Sequence, residues 1–151
     1  MMNQKNVDNE EYDLKKFIIE KPLLIVNPKK KNGLILIKKN YAEFAGPGAV
    51  VGGFFDQDLV DIVPVGKLSL RKPKNFEERQ KSYLIRRQWV KLTKQITDNP
   101  IPQERAQVIL NQFEHWFDSD TADNLPDEIF GLLVGVLPDT IKKARDLVHR
   151  L

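Results

Sequence analysis

The feature that most constrains this chain is a change of period at Lys72-Pro73-Lys74. Before it, apolar residues come in short β-branched runs broken by Gly and Pro. After it, they recur every three to four residues. Period 2 sends alternate side chains to the two faces of a strand, whereas period 3.6 gathers them on one stripe of a helix. With the two periods in separate parts of a 151-residue chain, one domain's length, the expected class is α+β rather than alternating βαβ. A flexible acidic tail is expected over 1–15. A small basic β subdomain over 16–74, a bent sheet or small barrel, then precedes a helical subdomain over 75–151 that ends in two short helices.

In the β part, Phe17-Ile18-Ile19 and Leu23-Leu24-Ile25-Val26 read as strands split by Pro22. Asn27 to Gly33 reads as a turn with Asn-Gly at its end, and Leu34-Ile35-Leu36-Ile37 as the return, so 23–37 is expected to be a β-hairpin. Further short strands are expected at Ala49–Val51, Leu59–Val65 and Lys67–Leu70. In the helical part, Ile85, Trp89, Leu92 and Ile96 fall at i, i+4, i+7 and i+11 of a helix over 76–97, which Asn99-Pro100 ends. A second helix starts at Pro102, a favourable first position, and presents Ala106, Ile109, Leu110, Phe113, Trp116 and Phe117. The two apolar faces are expected to meet as an antiparallel pair, followed by an acidic loop, Asp118 to Asn124.

The last two helices each open with Leu-Pro-Asp, at Leu125 and Leu137. Proline pre-sets the helical φ, and aspartate meets the positive end of the helix. Between them Gly131, Gly135 and Ile141 stand four and six residues apart, with Phe130, Val134, Val136 and Ala144 at the other positions expected to be buried. Two short helices cross steeply only where the contact is small and the turn allows positive φ. Over about 20 residues, 127–146, this pattern resembles the helix-turn-helix unit of DNA-binding proteins. The resemblance implies that the helix from Pro138 is the recognition helix. Its outward residues would be Asp139, Lys142, Lys143 and Asp146, with Thr140 and Arg145 at the edges. Leu137 departs from the small polar cap usual at its position.

Net charge is +3, but it is the remainder of a strong polarity. Residues 21–98 carry 16 basic and 7 acidic groups, a net of +9, while 99–151 carry a net of −4. Two accounts follow: the two parts attract each other within the molecule, or the basic part meets a polyanion. The candidate basic surface comprises Lys29, Lys30 and Lys31 at the expected hairpin tip, Lys38, Lys39, Lys67, Arg71, Lys72 and Lys74, then Arg86, Arg87, Lys91 and Lys94 on the first helix. Tyr41, Phe44 and Tyr83 are candidate stacking faces for bases. Phosphate attraction dominates non-specific affinity, so a recognition helix in the acidic part needs the basic part to share the work.

The same residues narrow the chemistry. With no cysteine there is no disulfide, thiolate metal site or thiol nucleophile. Gly46, Gly48, Gly52 and Gly53 lack dinucleotide-loop spacing, and Pro47 intrudes. Asp118, Asp120 and Asp123 begin like a calcium loop, but Asp123 stands where its glycine belongs and Ile129 where its final glutamate belongs. His115 and His149, the two histidines, have no partner at metal spacing. The longest apolar run, Ile129–Leu137, is shorter than the roughly 18 residues a membrane span needs. The expectation is a cytoplasmic, non-enzymatic protein without cofactor or metal that binds nucleic acid, double-stranded DNA above all, in a transcription-regulatory role. Its expected contacts are Thr140, Lys142, Lys143, Arg145, Arg87, Lys91, Lys94, Lys29, Lys30 and Lys31. The alternative is a protein–protein interaction module such as an assembly factor, adaptor or small subunit. A homodimer is compatible with either.

Overall fold

A computed structural model describes Ile18 and residues 23–149 of the chain. The architecture is α+β: strands fill the N-terminal half and helices the C-terminal half. The strands are β1 (Leu24–Val26), β2 (Asn32–Ile37), β3 (Ala42–Ala45), β4 (Val50–Val51), β5 (Asp61–Gly66) and β6 (Leu70–Arg71), with a 3-10 helix at Gly53–Asp56 before β5. The helices are α1 (Phe76–Thr97), α2 (Pro102–Trp116), α3 (Ser119–Asn124), α4 (Asp127–Val134) and α5 (Pro138–His149). The strands make two antiparallel three-stranded sheets, β4-β1-β6 and β3-β2-β5, and the described residues do not close into a barrel.

The expected 23–37 hairpin does not form, because β1 and β2 belong to different sheets. The Asn-Gly pair is not a turn either: both residues are the buried start of β2. The Asn32 amide donates to the Asn27 and Lys30 carbonyls at 3.0 Å each, and its oxygen accepts from the Ser69 amide at 3.0 Å. Asn32 therefore satisfies three backbone groups where the chain crosses between sheets, which a polar residue must do to be buried. A Cβ on Gly33 would stand 2.6 Å from the Phe44 ring, so glycine there serves packing. The expected tail over 1–15 lies outside the described residues, as does the strand at 17–19 except for Ile18, which is helical and buried.

The near-continuous apolar run of β2 has a clear cause. Strands covered on both faces lose the polar alternation of half-exposed ones. Ile35 opposes Phe44 and Val63, and this side meets the helices through Ala106, Ile109, Phe113, Phe130 and Val134. Leu34, Leu36 and Ile62 point the other way, onto Leu24, Val26, Val51 and Ile18. The sheet β3-β2-β5 is thus the middle of three layers, and α1 spans both cores. Ile85 packs on one core, Ile96 on the other and Trp89 on both, while Leu92, expected on the same stripe, is exposed. Trp89 meets Phe44 at 5.3 Å and Trp116 at 5.0 Å, both edge to face. Phe44, read as a stacking face for bases, is instead the centre of this aromatic core, with Phe113 and Trp116 at 5.0 and 5.7 Å.

Local chemistry sets the helix limits. Asn75 caps α1 by accepting from the Glu78 amide at 2.8 Å, and Pro102 opens α2. The expected acidic loop is the short helix α3, because Asp118 accepts from the Thr121 amide at 2.7 Å and so caps a turn. Gly135 ends α4 at φ 69°, ψ 42°, the left-handed conformation glycine takes freely. Arg105 of α2 then donates to the Val134 and Gly135 carbonyls at 3.0 and 3.1 Å, a cation at the negative end of α4.

Candidate functional site

The exposed cations fall in three groups. The first is a row on α1. Phe76, Arg79, Tyr83, Arg87, Val90 and Lys94 are spaced three or four apart, so they share one helix face, with Lys91 at its edge. Its Phe76, Arg79, Arg87 and Lys94 side chains are exposed. The face forms one wall of a line of concavities between α1 and the strand layers. Beside Phe54, Phe76, Arg79 and Tyr83 lies a groove of about 960 Å³. Next, between Phe55, Tyr83, Arg87 and Lys94, is one of about 320 Å³. Last, between Tyr41, Lys94 and Gly135, is one of about 300 Å³, which carries the line to the α4–α5 turn. From Phe76 to Lys94 the helix rises about 27 Å.

The floor of this line is a buried ionic cluster that sequence reasoning missed. Lys38 and Arg86, counted with the basic surface, are 3% and 5% exposed, so neither is a surface charge. Both converge on Asp56, which is fully buried. Arg86 donates to the two Asp56 oxygens at 3.0 and 2.9 Å, to the Val50 carbonyl at 3.0 Å and to Glu43 at 3.2 Å. Lys38 donates to Asp56 at 3.3 Å, to the Phe55 carbonyl at 2.7 Å and to Asp58. The Gly52 amide donates to Asp56 at 2.6 Å. Burial alone would raise the Asp56 carboxyl, but the Arg86 hydrogen bonds and charge, the Gly52 amide and Lys38 together hold it below its ordinary value. For Lys38 burial acts downward and is outweighed by Asp58 and Asp56, so its ammonium titrates above the ordinary lysine value.

The cluster joins α1 to β3, to β4 and to the 3-10 helix, and so fixes the row above it. It also removes negative charge from the groove. Glu43 and Asp56 face Arg86, and Asp58 faces Lys38. Glu78 holds Arg71 with two hydrogen bonds of 2.8 and 3.1 Å. Among the described residues Arg79, Arg87, Lys91 and Lys94 make no ion pair within 4.0 Å. Like charges lining a concavity focus the field into it and attract an opposite charge.

The second group is on α5. Ile141 and Ala144 are buried, and Asp139, Lys142, Lys143 and Asp146 are exposed. Gly131 lies against the turn, where a Cβ would come within 2.6 Å of the Val136 carbonyl oxygen. Lys143 pairs with Asp139 at 3.2 Å on the solvent side, and with Asp146 also exposed the face carries two cations and two anions. Thr140 is half-buried. Arg145 is engaged inside the molecule: it donates to Asp127 at 2.7 Å, to the Ala122 carbonyl at 3.2 Å and to the Leu125 carbonyl at 2.5 Å. Its guanidinium also lies 5.3 Å from the Phe130 ring centroid. It ties α5 to α3 and α4.

The third group, Lys29, Lys30 and Lys31, is exposed on the connection between β1 and β2. Lys31 contributes to holding Asp118 below the ordinary carboxylate value, behind the larger effect of the Thr121 hydrogen bonds. No hydrogen bond or ion pair among the described residues connects Lys142 or Lys143 to the α1 row.

No family model, curated protein or solved structure matches the chain. Among the described residues no group of three His, Cys, Asp or Glu side chains is placed to hold a metal ion, and no helix is long and apolar enough to cross a membrane. The groove also exposes rings that sequence reasoning passed over: Phe54 at 84%, Phe76 at 70% and Phe55 at 52%. The signal for Phe54 and Phe55 lay in Gly52-Gly53-Phe54-Phe55, two aromatics in a glycine-led connection with no periodic partner.

Proposed function

We propose that this chain is a small, non-enzymatic nucleic-acid-binding protein of regulatory type. Arg79, Arg87, Lys91 and Lys94 supply the main phosphate contacts, and Lys142, Lys143 and the 29–31 lysines add to them. The single observation that supports it most is the row of cations that, among the described residues, make no ion pair along a groove whose own carboxylates are already matched. Four cations meeting four duplex phosphates would release enough counterion to cut affinity about 100-fold between 50 and 200 mM salt. The helix-turn-helix resemblance of α4 and α5 fits the same role with a smaller share of the binding, because Arg145 is committed internally and Lys143 shares its charge with Asp139.

The test is a titration of labelled 20-mers at both salt concentrations. The double variant Arg87→Glu, Lys91→Glu is expected to lose at least about tenfold in affinity, and Lys142→Glu, Lys143→Glu less than that. Absence of binding at 50 mM salt overturns the proposal. A protein interaction module remains the second reading, favoured by the exposed Phe54, Phe76 and Leu137 side chains.

A further inference from the structure

We infer that the α1 groove takes a single strand of nucleic acid, with bases stacked on Phe54, Phe76 and the Phe55–Tyr83 pair and phosphates on Arg79, Arg87, Lys91 and Lys94. This rests on the nucleic-acid reading and narrows it to a substrate class. Three observations on the same wall support it.

The first is the rings themselves. Phe54 and Phe76 both line the concavity of about 960 Å³, and Phe55 lies 5.5 Å from Tyr83 at 55°, where that concavity gives way to the next. Burying an aromatic ring is strongly favourable, so exposing three phenylalanines in one groove gives up stability that the core would otherwise gain. A base offers each ring a flat partner, and every base has such a face.

The second is alternation. Along α1 the order is ring at 76, cation at 79, ring at 83, cations at 87, 91 and 94. A single strand carries the same two chemistries side by side, flat apolar bases and a repeating negative charge.

The third is shape. In a duplex the base faces are stacked on one another and only edges reach the grooves. A ring can meet a base face only in an unpaired strand or an opened step. The α1 face borders concavities that it shares with Phe54 and Phe55 of the 3-10 helix, rather than standing alone as a recognition helix does in a major groove. A recess of this kind admits a slender chain.

The experiment is a fluorescence-anisotropy titration of the full chain with labelled dT20, rU20 and a 20-bp DNA duplex at 100 mM salt. It is run on the wild type and on the Phe54→Ala, Phe76→Ala double variant. Both rings are largely exposed, so the double variant keeps its fold, which an unchanged melting temperature verifies. The expected result is that dT20 or rU20 binds at least tenfold tighter than the duplex. The ring variant is expected to lose at least about 30-fold on that strand and less than threefold on the duplex. Duplex binding as tight as either strand, with no effect of the ring variant, overturns the single-strand inference and leaves the nucleic-acid reading standing. No binding of any of the three, at 50 mM salt as well, overturns both.

Discussion

Replacing Asp56 with alanine would remove the carboxylate on which two buried cations converge. In the wild type it accepts from Arg86 at 3.0 and 2.9 Å, from Lys38 at 3.3 Å and from the Gly52 amide at 2.6 Å. All four bonds are charge-assisted, because the accepting carboxylate is ionised, and three of them come from cationic donors; this class contributes most per bond. The variant leaves Arg86 with the Val50 carbonyl and a partly exposed Glu43, and Lys38 with the Phe55 carbonyl and the exposed Asp58. Both cations keep some partners, so the loss belongs near the lower end of the about 3–5 kcal/mol seen when one member of a buried ion pair is deleted. For a chain of this length that lowers the melting temperature by about 10 °C. Urea unfolding followed by circular dichroism would read the same loss as a lower midpoint with an unchanged slope. The triple variant Lys38→Met, Asp56→Leu, Arg86→Met deletes the charges together and is expected to recover most of the stability, because no buried charge is then left unmatched. A shift below about 2 °C for Asp56→Ala would refute the reasoning that this cluster anchors α1 to the two sheets.

Other outcomes follow from the same geometry. Because the Asp56 carboxyl is held below its unfolded value of about 3.8, its contribution is complete above pH 4 and fades as pH falls through the folded value; the urea midpoint of the wild type should therefore fall more steeply between pH 4 and pH 2 than that of Asp56→Asn, and parallel curves would contradict this. Gly131→Ala puts a Cβ 2.6 Å from the Val136 carbonyl oxygen, a backbone atom that cannot swing away, and should cost about 2–3 kcal/mol in denaturant unfolding. Gly135→Ala meets nothing within 4 Å and bears only its left-handed φ, about 1 kcal/mol, so a larger loss at 135 than at 131 would invert the account. Arg145→Ala should lower the melting temperature while Lys142→Ala and Lys143→Ala leave it within a degree or two, measured side by side by thermal scan; equal effects would mean that the Arg145 contacts to Ala122, Leu125 and Asp127 hold nothing together.

The helices were legible because their signals are local. Ile85, Trp89 and Ile96 repeat at helical spacing, Asn75 and Pro102 punctuate, and α1 and α2 occur where these residues put them. The strand pairing was not, since Asn32-Gly33 has the residues of a tight turn but is used for side-chain bonds across 37 positions to Ser69 and for packing on Phe44. The loop that became α3 turned on one side chain, Asp118, serving as a cap. The ionic cluster was illegible for a different reason. Lys38, Glu43, Asp56 and Arg86 are brought together from the residue after β2, from β3, from the 3-10 helix and from α1, and nothing in a run of lysines and arginines separates the two that are buried from those that line the groove. Arg86 lies on the same side of α1 as Ser82 and Thr93, both buried, and that placement was the available clue. For Lys142 and Lys143 the exposed face was readable from period alone, whereas the internal engagement of Arg145 depended on where α3 ends.

The most direct test of the central claim, that the α1 row carries the phosphates, is the dependence of binding on salt. The logarithm of the association constant for a 20-nucleotide strand falls linearly with the logarithm of salt concentration, by about 0.7 per phosphate contact. The triple variant Arg87→Ala, Lys91→Ala, Lys94→Ala, folded like the wild type by circular dichroism, is expected to flatten that slope by about 2. A slope equal to that of the wild type would place the contacts elsewhere on the molecule and contradict the account.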